Sequence, residues 1–107
     1  MTDQGDSSMA GAPKGYVIIT EDVKDPAGMA EYGKLAMQAM AGATIVAVAQ
    51  KPEVIEGSWH GTQTVVLEFD SVDAAREWYY SDAYQAAAKV RARAAECNGV
   101  IFSGFPT

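Results

Sequence analysis

Two side chains of this 107-residue chain are placed to move a proton. Glu68 lies inside the apolar run Val65-Val66-Leu67-Glu68-Phe69. A carboxylate shielded among such neighbours has a raised pKa, which suits a general acid or base. The structural alternative pairs it with Arg91 or Arg76, or bonds it to a tyrosine hydroxyl. His60, the only histidine, stands beside Trp59 in the loop Gly57-Ser58-Trp59-His60-Gly61. Its unperturbed pKa of about 6.5 suits proton transfer near neutrality; the alternative is a solvent-exposed loop residue. Tyr16, Tyr32, Trp59, Trp78, Tyr79 and Tyr84 could line a pocket for a flat or apolar ligand, with hydroxyls fixing its orientation. Trp78, on a helix beside the apolar run, reads better as core. Its neighbour Tyr79 then points elsewhere and is the better ligand-facing residue.

Composition narrows the partners. A formal charge of −6 and a pI near 4.5 argue against nucleic acid, whose phosphates need clustered Lys and Arg, and against an anionic membrane surface. No apolar run reaches the roughly 20 residues of a membrane span, and the N-terminus lacks the basic start and apolar core of a signal peptide. One cysteine, Cys97, excludes an internal disulfide and makes a reducing cytoplasm the default location. One His and one Cys make no metal-ligand set, so no metal is expected. His60 would be the only histidine available as an axial haem ligand, and no other residue supports haem; no cofactor is expected.

The elements that must position these residues follow from local signals. Met1 to Pro13 is rich in Gly, Ser, Asp and Ala and reads as a disordered tail, with one domain from Lys14 to Thr107. Gly15 to Val23 reads as a strand. Asp25-Pro26 opens a helix running to about Met40, with Asp25 as cap and Met29, Tyr32, Ala36 and Met40 on one face. Gly42 is its stop, and Gly33 could permit close packing on a sheet. Thr44 to Ala49 is a second strand, with Val54-Ile55-Glu56 as a possible continuation. Thr62 to Phe69 is the third. Asp70 or Ser71 caps a helix ending at Trp78-Tyr79, and Ser81 caps another from Asp82 to about Glu96. Cys97-Asn98-Gly99 breaks that helix, and Val100-Ile101-Phe102 forms the last strand.

The order β-α-β-β-α-α-β is a ferredoxin-like α+β pattern: a four-stranded antiparallel sheet with its helices on one face. Yet the strands are apolar on both faces. Val17 and Ile19 oppose Tyr16 and Ile18, and Leu67 opposes Val66. A half-exposed sheet should alternate apolar and polar. A second copy, sheet against sheet, is the simplest cover, so a homodimer is expected.

Lys14-Gly15-Tyr16, Val54-Ile55-Glu56-Gly57, Trp59 and Glu68-Phe69-Asp70-Ser71, with Ala75, Trp78-Tyr79, Ser81 and Tyr84-Gln85, together resemble domain-of-unknown-function family 1330. The likeness runs from Lys14 onward. Arg91 is similar to a family Arg in the last helix, which adds it to the ligand-binding set. His60-Gly61 departs from the family, in which Pro is common after the Trp. The resemblance implies a dimeric α+β barrel, a superfamily that includes muconolactone isomerases, cofactor-free monooxygenases, polyketide cyclases and haem-dependent chlorite dismutases. The expected activity is proton transfer of isomerase or cyclase type on a small hydrophobic carbonyl or aromatic compound, moved by Glu68 or His60. The alternatives are a non-catalytic small-molecule-binding dimer and a cofactor-free monooxygenase.

Overall fold

The computed structural model describes residues 12–106. The expected tail, Met1 to Pro13, lies almost wholly outside them. The elements run β1 (Gly15–Val23), α1 (Pro26–Gln38), β2 (Thr44–Gln50), β3 (Gln63–Phe69), α2 (Val72–Tyr79), α3 (Asp82–Ala94) and β4 (Ala95–Ser103). The strands form one antiparallel sheet in the order β2-β3-β1-β4, the ferredoxin-like arrangement expected from the element order. No helix of the described residues is long and apolar enough to cross a membrane.

The period of two along the central strands sorts the side chains. Val17 and Ile19 of β1 and Leu67 and Phe69 of β3 turn to the helices and are buried there with Ala75, Trp78, Tyr84 and Ala87. The two helices that cover them are held by local caps. Ser71 Oγ accepts from the Ala74 N–H at 3.0 Å, and Ser81 Oγ accepts from the Tyr84 N–H at 3.2 Å. Ser81 Oγ also donates to the Trp78 carbonyl at 2.7 Å, joining the end of α2 to the start of α3. Such caps are each worth about 1 kcal/mol. The Trp78 ring packs on Phe69 and Tyr84, and its indole N–H donates to the Ala39 carbonyl at 2.8 Å, anchoring the end of α1.

Among the described residues no helix lies on the opposite face. Tyr16, Ile18, Val66, Val100 and Phe102 share it by register, and Val100 and Phe102 are exposed. The edge strand β2 is also open, with Ile45, Val46 and Val48 about half exposed. The reason is the placement of α1. It leans on α3, has no fully buried residue, and stands away from the β2–β3 half of the sheet.

Several local readings change. Asp25 stands at the N-cap but its side chain makes no capping bond; its N–H instead donates to the Ala94 carbonyl at 2.9 Å, so the α1 start is tied to the end of α3. Gly33 makes no close approach, since a Cβ there would meet nothing. Gly42 has φ +84° in the turn after α1, while the helix itself ends at Gln38. Val54-Ile55-Glu56 does not continue β2 and forms an exposed loop, with Ile55 86% exposed. Cys97-Asn98-Gly99 is no helix breaker: α3 stops at Ala94, and these residues pair with β1 inside β4. Nine cross-strand partners, from Gly15–Ser103 to Val23–Ala95, outweigh the turn propensity of Asn-Gly.

Candidate functional site

The sheet divides the expected site residues into two groups. On its helix side, β1 presents Glu21 two residues beyond Ile19, and β3 presents Gln63 directly opposite. Glu21 is 1% exposed. Gln63 Nε2 donates to Glu21 Oε1 at 2.6 Å, and Gln63 Oε1 accepts from Gln50 Nε2 of β2. The backbone is pinned at the same point, because the Thr62 N–H donates to the Glu21 carbonyl at 3.0 Å. Gly61 permits this approach: φ is +76°, and a Cβ would lie 2.4 Å from the Glu21 carbonyl oxygen. Burial pushes the Glu21 carboxyl above its usual range, opposed by the Gln63 bond and by the charge of Arg91.

Above Glu21, three side chains from α1 and α3 form a chain. Arg91 Nη1 donates to the Tyr84 hydroxyl, and the Tyr84 and Tyr32 hydroxyls lie 2.7 Å apart. The guanidinium also sits over both rings, 5.5 Å from the Tyr32 centroid and 5.8 Å from that of Tyr84. Tyr84 is fully buried, and burial pushes its phenol far up, so it stays protonated. For Arg91, burial opposes the charge but the Tyr84 and Tyr32 oxygens outweigh it, so the guanidinium stays charged. These facts set the direction of the chain. Arg91 can only donate, so Tyr84 accepts from it. The buried Tyr84 O–H is then satisfied by donating to Tyr32. The Tyr32 proton is left over.

Tyr32 lines the space that α1 leaves over the sheet, a cavity of about 170 Å³. Glu21 lines the same cavity, and Ile19, Val65, Leu67 and Trp78 make it apolar. An apolar engineered cavity of about 150 Å³ holds benzene, so this one has room for a single ring. The arrangement can present one O–H, polarised through Tyr84 by a buried cation, and one carboxylate to a small apolar molecule.

The other group lies on the open face. The Tyr16 hydroxyl donates to Glu68 Oε2 at 2.7 Å, and the Tyr16 ring stacks on Phe102. Glu68 is half-buried and has no arginine partner; Arg91 is on the far side of the sheet. The bond to Glu68, then burial and the Glu68 charge, raise the Tyr16 pKa. The loop before β3 folds back over the same face. His60 Nδ1 lies 2.7 Å from Thr20 Oγ1, and Trp59 Nε1 donates to Thr64 Oγ1 at 2.8 Å. Glu68, His60, Tyr16 and Trp59 therefore share one face, and Tyr32, Tyr84 and Arg91 the other. Tyr79 is also on the helix side, half-buried against Tyr84, but it lines a separate groove with Arg76 and Arg91.

Glu21 and Gln63 were not among the candidates read from the sequence. The signal was available: Glu21 continues the inward period of Val17 and Ile19, as Glu68 interrupts its own apolar run. Among the described residues no group of three or more His, Cys, Asp or Glu could hold a metal ion.

A family with the description "domain of unknown function (DUF1330)" matches residues 14–105. No curated protein matches the chain. Solved structures resemble it in fold. RPA0582, a protein of unknown function from Rhodopseudomonas palustris, is 17% identical, with 100% of this chain and 96% of that chain covered and a TM-score of 0.63. A dimeric ferredoxin-like protein of unknown function from Thermobifida fusca is 14% identical, covering 86% and 92%, at 0.58. SnoaB, a cofactor-independent oxygenase from Streptomyces nogalater, is 13% identical, covering 90% and 97%, at 0.62.

Proposed function

Because this chain belongs to the DUF1330 family, whose description names no activity, we propose its function from its own residues: it binds a small hydrophobic carbonyl compound in the cavity under α1 and moves a proton on it. One observation carries this reading. The Arg91–Tyr84–Tyr32 chain ends in an apolar cavity that also contains the Glu21 carboxylate. The substrate carbonyl oxygen accepts from Tyr32. The Glu21 carboxylate takes a proton from the neighbouring carbon, breaking that C–H bond and leaving an enolate whose charge gathers on the oxygen. Tyr32, backed by Tyr84 and the Arg91 cation, stabilises that charge. Return of the proton to the same carbon regenerates substrate, and return to another carbon of the enolate system isomerises it. The raised pKa of Glu21 makes it a stronger base than an exposed carboxylate.

The assembly is a homodimer through the open face. The apolar residues there have no cover among the described residues, and two neighbours of this fold are described as dimeric. A standard interface needs about 800 Å² from each partner. Tyr16–Glu68 and Thr20–His60 would then lie between the two sheets as polar pairs already satisfied within one protomer, which lowers the cost of burying them.

The test is exchange of α-protons of cyclopentanone in deuterated buffer, followed by NMR. The wild type should exceed the buffer rate, and Glu21→Gln should lose about 100-fold or more of the excess. A wild-type rate equal to that of buffer overturns the catalytic reading. Ring binding without exchange would favour the non-catalytic alternative. The oxygenase alternative uses the same Glu21 and Tyr32 to deprotonate and hold a quinol; it predicts oxygen uptake with a hydroquinone, where the proton-transfer reading predicts none.

A further inference from the structure

Ile19 also borders a second space. Beyond it, a groove of about 450 Å³ opens along β4. Its floor is Val17, Ile19 and Ile101, Tyr79 and Tyr80 stand at the end of α2, and Arg76 and Arg91 complete the wall. The chain carries a net charge of −6 and has three arginines, yet two of them meet here. No Asp or Glu lines the groove among the described residues. Arg76 Nη1 donates to Asp73 at 3.0 Å on the exposed surface of α2, where water screens the pair, and the charge of Arg91 is felt by Glu21, which lines the cavity on the other side of Ile19 and not the groove. Cys97 also lines the groove, but burial holds its thiol above the usual range against the pull of Arg91, so it brings no anion at neutral pH.

Arg91 adds a second, independent observation. It is 8% exposed, and its Nε has no hydrogen-bond partner among the described residues. Nη1 is taken by Tyr84, which leaves Nε without an acceptor. A buried charged donor without a partner is unfavourable. Arg91 lines the groove, so an anion there meets the guanidinium that carries this unpaired nitrogen. Gly99 keeps the space open. It pairs with Ile19 and so faces the helix side, and a Cβ there would meet Ile19 Cγ1 at an ordinary 3.6 Å. A larger side chain at this position would fit the strand and fill the groove.

We propose that the groove is a binding site for a small carboxylate with an aromatic body, its charge held by Arg91 and Arg76 and its ring lying against Tyr79, Tyr80 and Ile101. The site stands whether or not the cavity under α1 performs proton transfer, because it uses the opposite side of Ile19 and needs neither Glu21 nor Tyr32.

Benzoate and its neutral counterpart benzamide, titrated against the isotope-labelled full chain by NMR, test this. Benzoate should move the amides of Tyr79, Cys97 and Gly99 and bind about ten-fold more tightly than benzamide, the margin of one charge-assisted pair. Gly99→Val should abolish benzoate binding without lowering the melting temperature, since Val suits a strand better than Gly. Arg76→Gln should weaken benzoate about three-fold or more and leave benzamide unchanged. Equal binding of the two compounds, or benzoate affinity intact in Gly99→Val, would overturn the proposal. Shifts confined to Tyr32, Met40 and Val65 would move the ligand to the cavity and overturn the groove assignment while leaving the cavity reading in place.

Discussion

Glu21 and Gln63 stand opposite one another on β1 and β3, and the Gln63 amide donates to the Glu21 carboxylate at 2.6 Å beneath the helices. That bond lowers the carboxyl pKa, but burial raises it more. The folded pKa therefore lies above the ordinary 4.5. Between the two values the folded chain holds more protons than the unfolded one, so stability falls as pH rises through this window and is flat on either side. Glu21→Gln removes the carboxylate while keeping the shape. The stability of the variant relative to wild type should grow as pH rises from 4.5 and level off above the folded pKa. Urea unfolding at a series of pH values measures this, and a difference independent of pH would contradict it.

Tyr84→Phe removes the oxygen that Arg91 Nη1 uses and strands a buried cation that already has one unpaired nitrogen. The expected loss is about 2–4 kcal/mol. Tyr32→Phe takes the acceptor from the buried but neutral Tyr84 O–H rather than a partner from a cation, and should cost less, about 1–2 kcal/mol. It should nevertheless reduce α-proton exchange about ten-fold or more. Denaturant unfolding of both variants checks the ranking; equal losses would mean that Arg91 finds another partner.

Glu68→Gln keeps an acceptor for the Tyr16 hydroxyl, so stability should change by less than about 1.5 kcal/mol. The Tyr16 pKa should fall, because the bond to the Glu68 carboxylate is the largest cause of its rise and the Glu68 charge adds to it. Ultraviolet titration of the phenolate, with Tyr16→Phe to identify its contribution, reads this out. An unmoved Tyr16 titration would show that the bond does not persist in solution.

Ile18→Lys places a charge at the centre of the open face, on the inner strand β1, with Val66 and Val100 as its register partners. Sedimentation at micromolar protein should give a dimer for the wild type and a monomer for the variant, because an unpaired ammonium buried between two sheets costs several kcal/mol. A monomeric wild type would refute the sheet-to-sheet assembly.

What was legible in the sequence was what neighbours along the chain decide. Ser71 and Ser81 announced their helices because a hydroxyl one turn from an N–H needs no distant partner. Leu67 and Phe69 facing the helices, with Glu68 turned away, followed from the period of two. The element order then left few topologies, and β2-β3-β1-β4 is the one the chain adopts.

Tertiary structure decided the rest, through contacts between residues far apart in the chain. Asn98-Gly99 is a turn by local preference and a strand here, since pairing with β1 satisfies its backbone. Glu21 came to matter because the sheet brings Gln63 beside it and α3 sets Arg91 near enough for its charge to be felt. Arg91 could pair with Glu68 by charge alone, but the sheet stands between them, and its partners are Tyr84 and Tyr32. The cavity itself depends on the angle at which α1 rests, leaning on α3 and tied at its ends through Asp25 to Ala94 and through Ala39 to Trp78. No local spacing encodes that angle. It is set by the packing of whole elements, where many weak contacts at long sequence separation outweigh any single residue's preference.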